Sequence, residues 1–474
     1  MNTDASDKAL HDAERRVLEI QTKLHRWAVD DPGRRFDDLY NLVADPAFLL
    51  VGWARVRRNK GARTAGVDGV TAHQVRVGQR DASLLERLRA DLKAREFRPL
   101  PVRSVNIPKA NGKIRRLGIP TVRDRTVQAA LKLVLEPIFE ADFRPCSYGF
   151  RPNRRAQDAV TETWHLATNS YEWVVEGDIE ACFDRIDHTA LMGRVRRRIG
   201  DKRVLDLVKA FLKAGILDGD GQTWKSDVGT PQGGILSPLL ANVALTVLDE
   251  HFDQYTISTV ERAKRRRHGL ANYRIIRYAD DFVVMVSGTR EQAEQLLPEI
   301  ATAIEPMGLS LSAEKTLVTH IDEGLDFLGW RIQRHRKRGT AQHYVYTYPS
   351  KKALQAIKAK VKAMCMQNVN ETLADLTCRI NPALRGWTAY FRAGVSSATF
   401  EYLRSYVWSR VMRWLRKKHR RTNWEKLLRR YCTNPRDKWW PADGNVTLFD
   451  PASVSTTRYR YRGAKIPSPW PSVT

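Results

Sequence analysis

An α+β fold is what the 474-residue sequence predicts, on three observations. Short β-branched runs closed by turn residues begin near residue 97 and alternate with helical segments over about 260 residues, a mixture that makes one α+β body. Helical periodicity fills the first 60 residues. It returns in the last quarter, there with a strong excess of Lys and Arg.

Taken in order, residues 1–60 read as mainly helical, through Ala13-Glu14-Arg15-Arg16-Val17-Leu18 and Leu39 to Val56, with a break at Asp31-Pro32-Gly33. Val102 to Ile107, Asn111-Gly112 and Ile114 to Ile119 read as a β-hairpin, because Asn-Gly tolerates the positive φ angles of a tight turn. Helical spacing resumes over 123–140 and 154–168, a strand follows at Trp173-Val174-Val175, and the chain is then helix-rich to about 258. Tyr273 to Val286, apolar on both sides of a polar centre, reads as a second hairpin, and 289–305 as helical.

The region 351–440 differs in kind: 21 Lys+Arg stand against five Asp+Glu, a net +16, and six of the 13 tryptophans fall there. Tyr402, Tyr406, Trp408, Met412 and Leu415 lie at helical spacing, with Arg413, Arg416, Lys417, Lys418 and Arg420 beside and after them. This reads either as a solvated basic helix face or as a helical module gripping phosphates, its aromatics serving as core or as stacking surfaces. After 441 the chain is rich in Pro and Ser, and Thr457 to Tyr461 alternates Arg with Tyr, as a small appended element would.

Across the whole chain 80 Lys+Arg exceed 53 Asp+Glu by 27. Such a surplus costs stability through self-repulsion unless a polyanion neutralises it, and nucleic acid is the usual one. A basic ribosomal or chromatin protein also fits the composition, although those are usually shorter and poorer in tryptophan. The five cysteines are odd in number, irregularly spaced and without a C-x-x-C pair, which argues against disulfides and against a Cys-based zinc site. The polar, acidic first ten residues are no signal peptide. The most apolar stretch, Ile235 to Leu248, is interrupted by Ser237, Pro238 and Asn242, well short of the roughly 20 apolar residues of a membrane span. The expectation is a soluble, intracellular protein with no disulfides and no membrane association.

The sharpest chemical signal is Tyr278-Ala279-Asp280-Asp281-Phe282-Val283-Val284-Met285. Two adjacent carboxylates between two apolar strands occupy the turn of a buried hairpin, and holding them together there is costly unless a cation sits on them. Asp178 ends a second apolar strand, in Val174-Val175-Glu176-Gly177-Asp178. Alone it reads equally as the N-cap of a following helix. With Asp280 and Asp281 it makes three carboxylates, enough to hold two Mg²⁺ ions about 3.5–4 Å apart for an in-line phosphoryl transfer. Asp184 and Asp187 are weaker candidates, Asp187 reading as the cap of a helix that begins at His188.

These segments, in this order, resemble the palm of a reverse transcriptase, and specifically the group II intron-encoded reverse transcriptase/maturase family. Ile107-Pro108-Lys109 through Arg115-Arg116-Leu117-Gly118-Ile119-Pro120 resembles its fingers motif, and Ser147-Tyr148-Gly149-Phe150-Arg151-Pro152 the segment after it. Gly229-Thr230-Pro231-Gln232-Gly233-Gly234-Ile235-Leu236-Ser237-Pro238 resembles the motif that contacts template and nucleotide. Leu309 to Thr316 and Phe327-Leu328-Gly329-Trp330 resemble the last two palm motifs, the latter touching the primer. Asn381-Pro382 through Leu384-Arg385-Gly386-Trp387 to Phe391 resembles the maturase, or X, domain.

The resemblance implies a right-hand polymerase: a helical N-terminal extension (1–75), fingers and palm (76–340), a helical thumb and X domain (341–440) and a short C-terminal extension (441–474), a candidate DNA-binding element. It implies that Asp178, Asp280 and Asp281, with the Ile179 carbonyl, hold two Mg²⁺ ions, for which Mn²⁺ can substitute. Lys109 and Arg115 would meet the triphosphate, Gln232 would lie beside the sugar, and Phe183 would exclude a 2′-hydroxyl, so that the product is DNA. Unaided, Lys109 and Arg115 also read as exposed hairpin charges, Phe183 as ordinary core, and Gly229 to Gly234 as a loop leading into a helix. Phe327, Leu328, Gly329 and Trp330 would meet the primer; Arg385, Trp387, Arg413, Arg416, Lys417 and Lys418 would meet RNA. The implied partners are the protein's own intron RNA, a DNA target and primer, and dNTPs, in the cytoplasm of a bacterium and at its chromosome. Only Cys432 stands near the end where longer relatives carry an endonuclease, so a borrowed primer, such as a nascent strand, is expected. A related reverse transcriptase recruited to defence or repair, and a non-catalytic RNA-binding splicing factor, are the rival readings.

Overall fold

The computed structural model describes residues 3–108, 112, 114–218, 222–224, 228–230, 233–337, 339–432 and 439–470. The chain begins with helices α1 (Thr3–Asp30), α2 (Tyr40–Val43), α3 (Pro46–Arg58), α4 (Ala72–Val77) and α5 (Asp81–Ala94). Leu10, Val17 and Leu24 recur every seventh residue along α1 and are buried with Ala13 and Ala28, one apolar stripe on an otherwise polar helix. Helix α3 starts sharply, with Pro46 in its first turn and the Asp45 side chain accepting from the Ala47 amide.

Strands β1 (Val102–Pro108) and β2 (Ile114–Ile119) form the first hairpin, in register from Arg103 opposite Ile119 to Pro108 opposite Ile114. Helices α6 (Val122–Glu140) and α7 (Ala156–Thr168) follow, then β3 (Trp173–Asp178), α8 (Cys182–Arg185), α9 (His188–Arg198) and α10 (Lys202–Leu212). The helix-rich stretch also contains two strands of two residues each, β4 (Ile216–Leu217) and β5 (Thr223–Trp224). They extend the first hairpin to a sheet in the order β2-β1-β4-β5. β4 is held by β1, distant in sequence, and β5 by β4, and two residues are too short a run to show a strand pattern of their own.

Beyond α11 (Ser237–Asp253) and α12 (Thr259–Arg267), β6 (Asn272–Tyr278) and β7 (Asp281–Ser287) form the second hairpin. The segment after it breaks at Gln295 into α13 (Arg290–Glu294) and α14 (Leu296–Ile304), and β8 (Leu317–His320) completes an antiparallel sheet in the order β6-β7-β3-β8. Both faces of this sheet are covered. Val175, Phe282, Val284 and Val286 enter one apolar cluster and Val174, Val283 and Met285 another, which is why β7 reads as an unbroken apolar run. Gly177 is required by packing: a Cβ there would lie 2.0 Å from the Phe282 ring.

A third sheet, β11-β10-β9, contains β9 (Leu325–Phe327), β10 (Trp330–Arg336) and β11 (His343–Pro349). Helices α15 (Lys351–Gln367), α16 (Leu373–Phe391), α17 (Ser397–Lys418) and α18 (Trp424–Tyr431) then pack around a third cluster, followed by the small hairpin β12 (Ala442–Asp443) and β13 (Val446–Thr447). The buried face of α17 is Leu403, Val407, Val411, Met412, Trp414 and Leu415. The aromatic half of the expected stripe is displaced from it: Tyr402 is 50% exposed and Tyr406 and Trp408 half-buried. The last described segment crosses α7, where Tyr459 and Arg462 donate to Asp158, and ends with Trp470 buried against α1.

Candidate active site

Asp178, last residue of β3, stands directly opposite Asp281, first residue of β7. Tyr278 pairs with Asp281 across the hairpin, so Ala279 and Asp280 form a two-residue turn. Ala279 has φ +59°, a left-handed conformation that costs a residue with a Cβ about 1 kcal/mol or more. A buried network holds it. Arg277, wholly enclosed, donates to Asp249 Oδ1 at 2.8 Å and Oδ2 at 2.5 Å, and its Nη1 donates to Asn242 Oδ1 and to the Ala279 carbonyl at 3.0 Å. Asn242 and Asp249 are seven apart on α11 and so share a face. Asn242 Nδ2 also donates to the Gly149 carbonyl at 2.8 Å. Gly149 lies flush against the turn, since a Cβ there would fall 2.4 Å from the Ala279 amide.

The three carboxylates raise the cost of one another's charge. Desolvation and then Asp178 push Asp280 up, while Arg115 and Lys315 pull it back. Asp281 opens to solvent at its tip, yet the protein around the hairpin, followed by Asp280 and Asp178, pushes it up to about 6. Lys315 Nζ donates to Asp178 Oδ2 at 2.6 Å, which raises the lysine in turn. The segment carrying Lys315 is tied to β3: Glu180 N donates to Ser310 O at 2.9 Å and Ser312 N to Asp178 O at 2.8 Å. The Ile179 carbonyl takes part in neither bond. Asp178 is not a helix cap, because Ala181 fills that place before α8, whereas Asp187 does cap α9, accepting from Ala190 N at 2.7 Å.

Among the described residues no three His, Cys, Asp or Glu side chains converge in a group that could hold a metal ion. The side chains gathered here are carboxylates, the donor type that hard cations take; burial and then mutual repulsion hold two of them above their ordinary range, and a lysine ammonium compensates the third.

Arg115, exposed on β2, is close enough to lower Asp280, which brings the first hairpin to the carboxylates. Lys109 and Gln232 lie outside the described residues. Phe183 is 8% exposed in the main apolar cluster, and its carbonyl accepts from Thr230 N at 2.5 Å. Phe327 and Trp330 are buried, and only the turn between them, Leu328 (φ +52°) and Gly329 (φ +81°), is partly exposed. Leu328 borders the same apolar cluster as Tyr278 of the carboxylate hairpin.

Among the residues expected to meet RNA, Arg385 is exposed and lies 4.9 Å over the Phe449 ring. Trp387 packs on Phe391 and Phe400 at 4.6 and 5.9 Å, as part of the core. Arg413, Arg416 and Lys417 are exposed on α17. Lys418 is instead a clasp, donating to the carbonyls of Val369, Asn370 and Glu371 at 3.3, 3.2 and 2.8 Å. Sequence reasoning gave no role to Arg277, Asp249, Asn242 or Lys315. A cation inside the apolar run Ile275-Ile276-Arg277-Tyr278 was the available signal, since a buried charge requires a buried partner.

Residues 107–332 match the family described as reverse transcriptase (RNA-dependent DNA polymerase), and residues 354–432 the group II intron, maturase-specific domain. The chain is 39% identical over 359 residues to protein YkfC of Escherichia coli (strain K12), a match covering 71% of this chain and 93% of that protein. The chain belongs to the group II intron reverse transcriptase/maturase family. This reverse transcriptase is 34% identical over 373 residues to group II intron-encoded protein LtrA of Lactococcus lactis subsp. cremoris, covering 68% of this chain and 60% of LtrA. It is 27% identical over 336 residues to the putative COX1/OXI3 intron 2 protein of Saccharomyces cerevisiae, covering 62% of this chain and 39% of that one. It is by family an RNA-directed DNA polymerase, its mixed sheets followed by a helical maturase region. Enzymes of this class generally use divalent metal ions. Its five cysteines are free, and among the described residues no helix is long and apolar enough to cross a membrane.

Proposed function

We propose that this reverse transcriptase binds its own group II intron RNA, assists its splicing and copies the intron into DNA by target-primed reverse transcription. The observation that carries the polymerase part is the facing pair Asp178 and Asp281, with Asp280 in the adjoining turn and Arg115 and Lys315 close by. Asp178, Asp280 and Asp281, with the Ile179 carbonyl, would hold two Mg²⁺ ions, or Mn²⁺ in their place. Bound there, the ions would neutralise charge on the attacking and leaving oxygens as the primer 3′-hydroxyl displaces pyrophosphate from a dNTP.

The chain's own residues do the rest. Arg115, with Lys109, binds the triphosphate; Phe183, with Gln232, selects the deoxyribose; the Leu328-Gly329 turn bears on the primer. The maturase region, with Arg385, Arg413, Arg416 and Lys417 outward, binds intron RNA in the cytoplasm and carries it to the chromosomal target. In this reading residues 1–75 extend the fingers and palm of 76–340, residues 341–440 form thumb and X domain, and 441–474 are an extension.

Primer extension on an RNA template tests it. Asp280→Ala is expected to lower Mg²⁺-dependent extension by about 10³-fold or more while the variant still co-purifies with spliced intron lariat. Undiminished extension by that variant removes the carboxylates from catalysis; wild-type protein that binds and splices no intron RNA removes the maturase half.

A further inference from the structure

The loop entered at Gly229 is fastened to the segment that follows the catalytic strand. Gly229 N donates to Ile186 O at 2.8 Å and Thr230 N to Phe183 O at 2.5 Å, and Asp187 bridges to Val228. Gly229 has φ +83°, and a Cβ on it would lie 2.7 Å from the Asp184 carbonyl, so the two backbones touch directly. One side chain joins this set of backbone bonds. His188, first residue of α9 and 8% exposed, places Nε2 2.5 Å from the Gly229 carbonyl. A carbonyl only accepts, so the hydrogen sits on Nε2. Nδ1 is buried and has no hydrogen-bond partner among the described residues, so the ring's one polar contact there is with this loop.

The Gly229 carbonyl and the Thr230 amide belong to one rigid peptide plane. His188 holds its oxygen and Phe183 holds its N–H. Rotation of that plane breaks both bonds together, and it would change the seat of Phe183, which lies in α8, the short helix that follows Asp178. We infer that His188 is a positioning residue for the incoming nucleotide: by locking the Gly229–Thr230 peptide it fixes Phe183 and thereby dNTP affinity and sugar choice. This rests on the reading of Phe183 as the wall against a 2′-hydroxyl.

The test compares His188→Leu, which fills the space without a donor, with His188→Gln, whose amide N–H can reach the same carbonyl. Single-nucleotide extension is measured on the full chain with dNTP and with the matching ribonucleotide, beside Phe183→Ala and thermal melts. His188→Leu is expected to raise KM for the dNTP about tenfold and to lower dNTP-over-rNTP selectivity by about as much, with kcat changed less than about threefold. His188→Gln should restore most of both. Unchanged KM and selectivity in His188→Leu, while Phe183→Ala loses selectivity, overturns the role of His188 alone. Equal losses in Leu and Gln variants that also melt early make the histidine merely structural and overturn it too. Selectivity unchanged in Phe183→Ala overturns the reading of Phe183 itself.

Discussion

The carboxylate sheet and the maturase helices handle charge in opposite ways. The sheet buries a complete ion pair, Arg277 with Asp249, both wholly enclosed, and uses it to hold a strained turn. The acids it displays are crowded against one another. Helices α15 to α18 are held by an apolar cluster of Ile357, Val361, Leu376, Ile380, Leu384, Leu403, Val407 and Val411, and their cationic surplus faces outward. Charge in the first region is therefore a structural element and, in the proposed function, a catalytic one. In the second the same proposal makes it a surface offered to a polyanion, and removing it should cost binding rather than stability.

The largest effect should come from the buried pair. Arg277→Met leaves Asp249 enclosed without its partner and frees the Ala279 turn, and is expected to cost about 3–5 kcal/mol in urea unfolding. Arg277→Met combined with Asp249→Leu should recover much of that loss, because no uncompensated charge remains. The same change at exposed Arg413 should stay within about 0.5 kcal/mol. Comparable losses at the two arginines would abolish the distinction between the regions.

Next is the crowding of the displayed acids. Without metal, Asp281 holds its proton up to about pH 6 in the folded chain but ionises near 4 once unfolded. The folded state thus binds more protons between those values, so the penalty is full above about 6 and disappears as pH falls through 6 toward 4. Asp281→Asn should raise the melting temperature in EDTA at pH 7.5 and not at pH 4. Partial exposure limits the gain to about 1 kcal/mol. Burial also pushes Asp124 and Asp142 to about 6, but they are common to both proteins and cancel in the difference. Added Mg²⁺ should stabilise the wild type more than the variant. A variant no more stable than wild type in EDTA would mean that Lys315 already balances the site.

What was legible in sequence follows the same division between local and distant causes. Both long hairpins could be read because their paired runs are adjacent in the chain, the second without any characteristic turn residue; Asn111, expected in the first turn, lies outside the described residues. The carboxylates could be read because acids crowded at the ends of apolar strands are costly to hold without a cation. Strands β4 and β5 could not, since β4 pairs with β1 across more than a hundred positions and β5 joins the sheet only through β4. Lys315 reaches Asp178 across 137 residues, and His188 reaches Gly229 across 41, through contacts that no periodicity encodes. On α17 the large aromatics suggested a stripe, yet Leu403 and Val407, one position on from Tyr402 and Tyr406, lie in the core, together with Met412 and Leu415 of that stripe. Spacing alone does not separate two adjacent helical faces.

The smallest effect on stability, and the finest division within the helices, concerns α17. Arg413, Arg416 and Lys417 are exposed, while Lys418 is engaged with three carbonyls of the 369–371 turn. Changing the first three to Gln should leave the melting temperature nearly unmoved. It should flatten the dependence of log K for intron RNA on log salt by up to about 0.7 for each phosphate no longer neutralised. Lys418→Met should do the reverse, costing about 0.5–1.5 kcal/mol through the carbonyls left without a donor and leaving the slope unchanged. A slope unaltered by the triple change would make this face a solvated one, and the excess of cations between 351 and 440 would then have to meet RNA through Arg385 and the lysines of α15. A slope flattened by Lys418→Met would mean instead that the clasp opens when RNA binds.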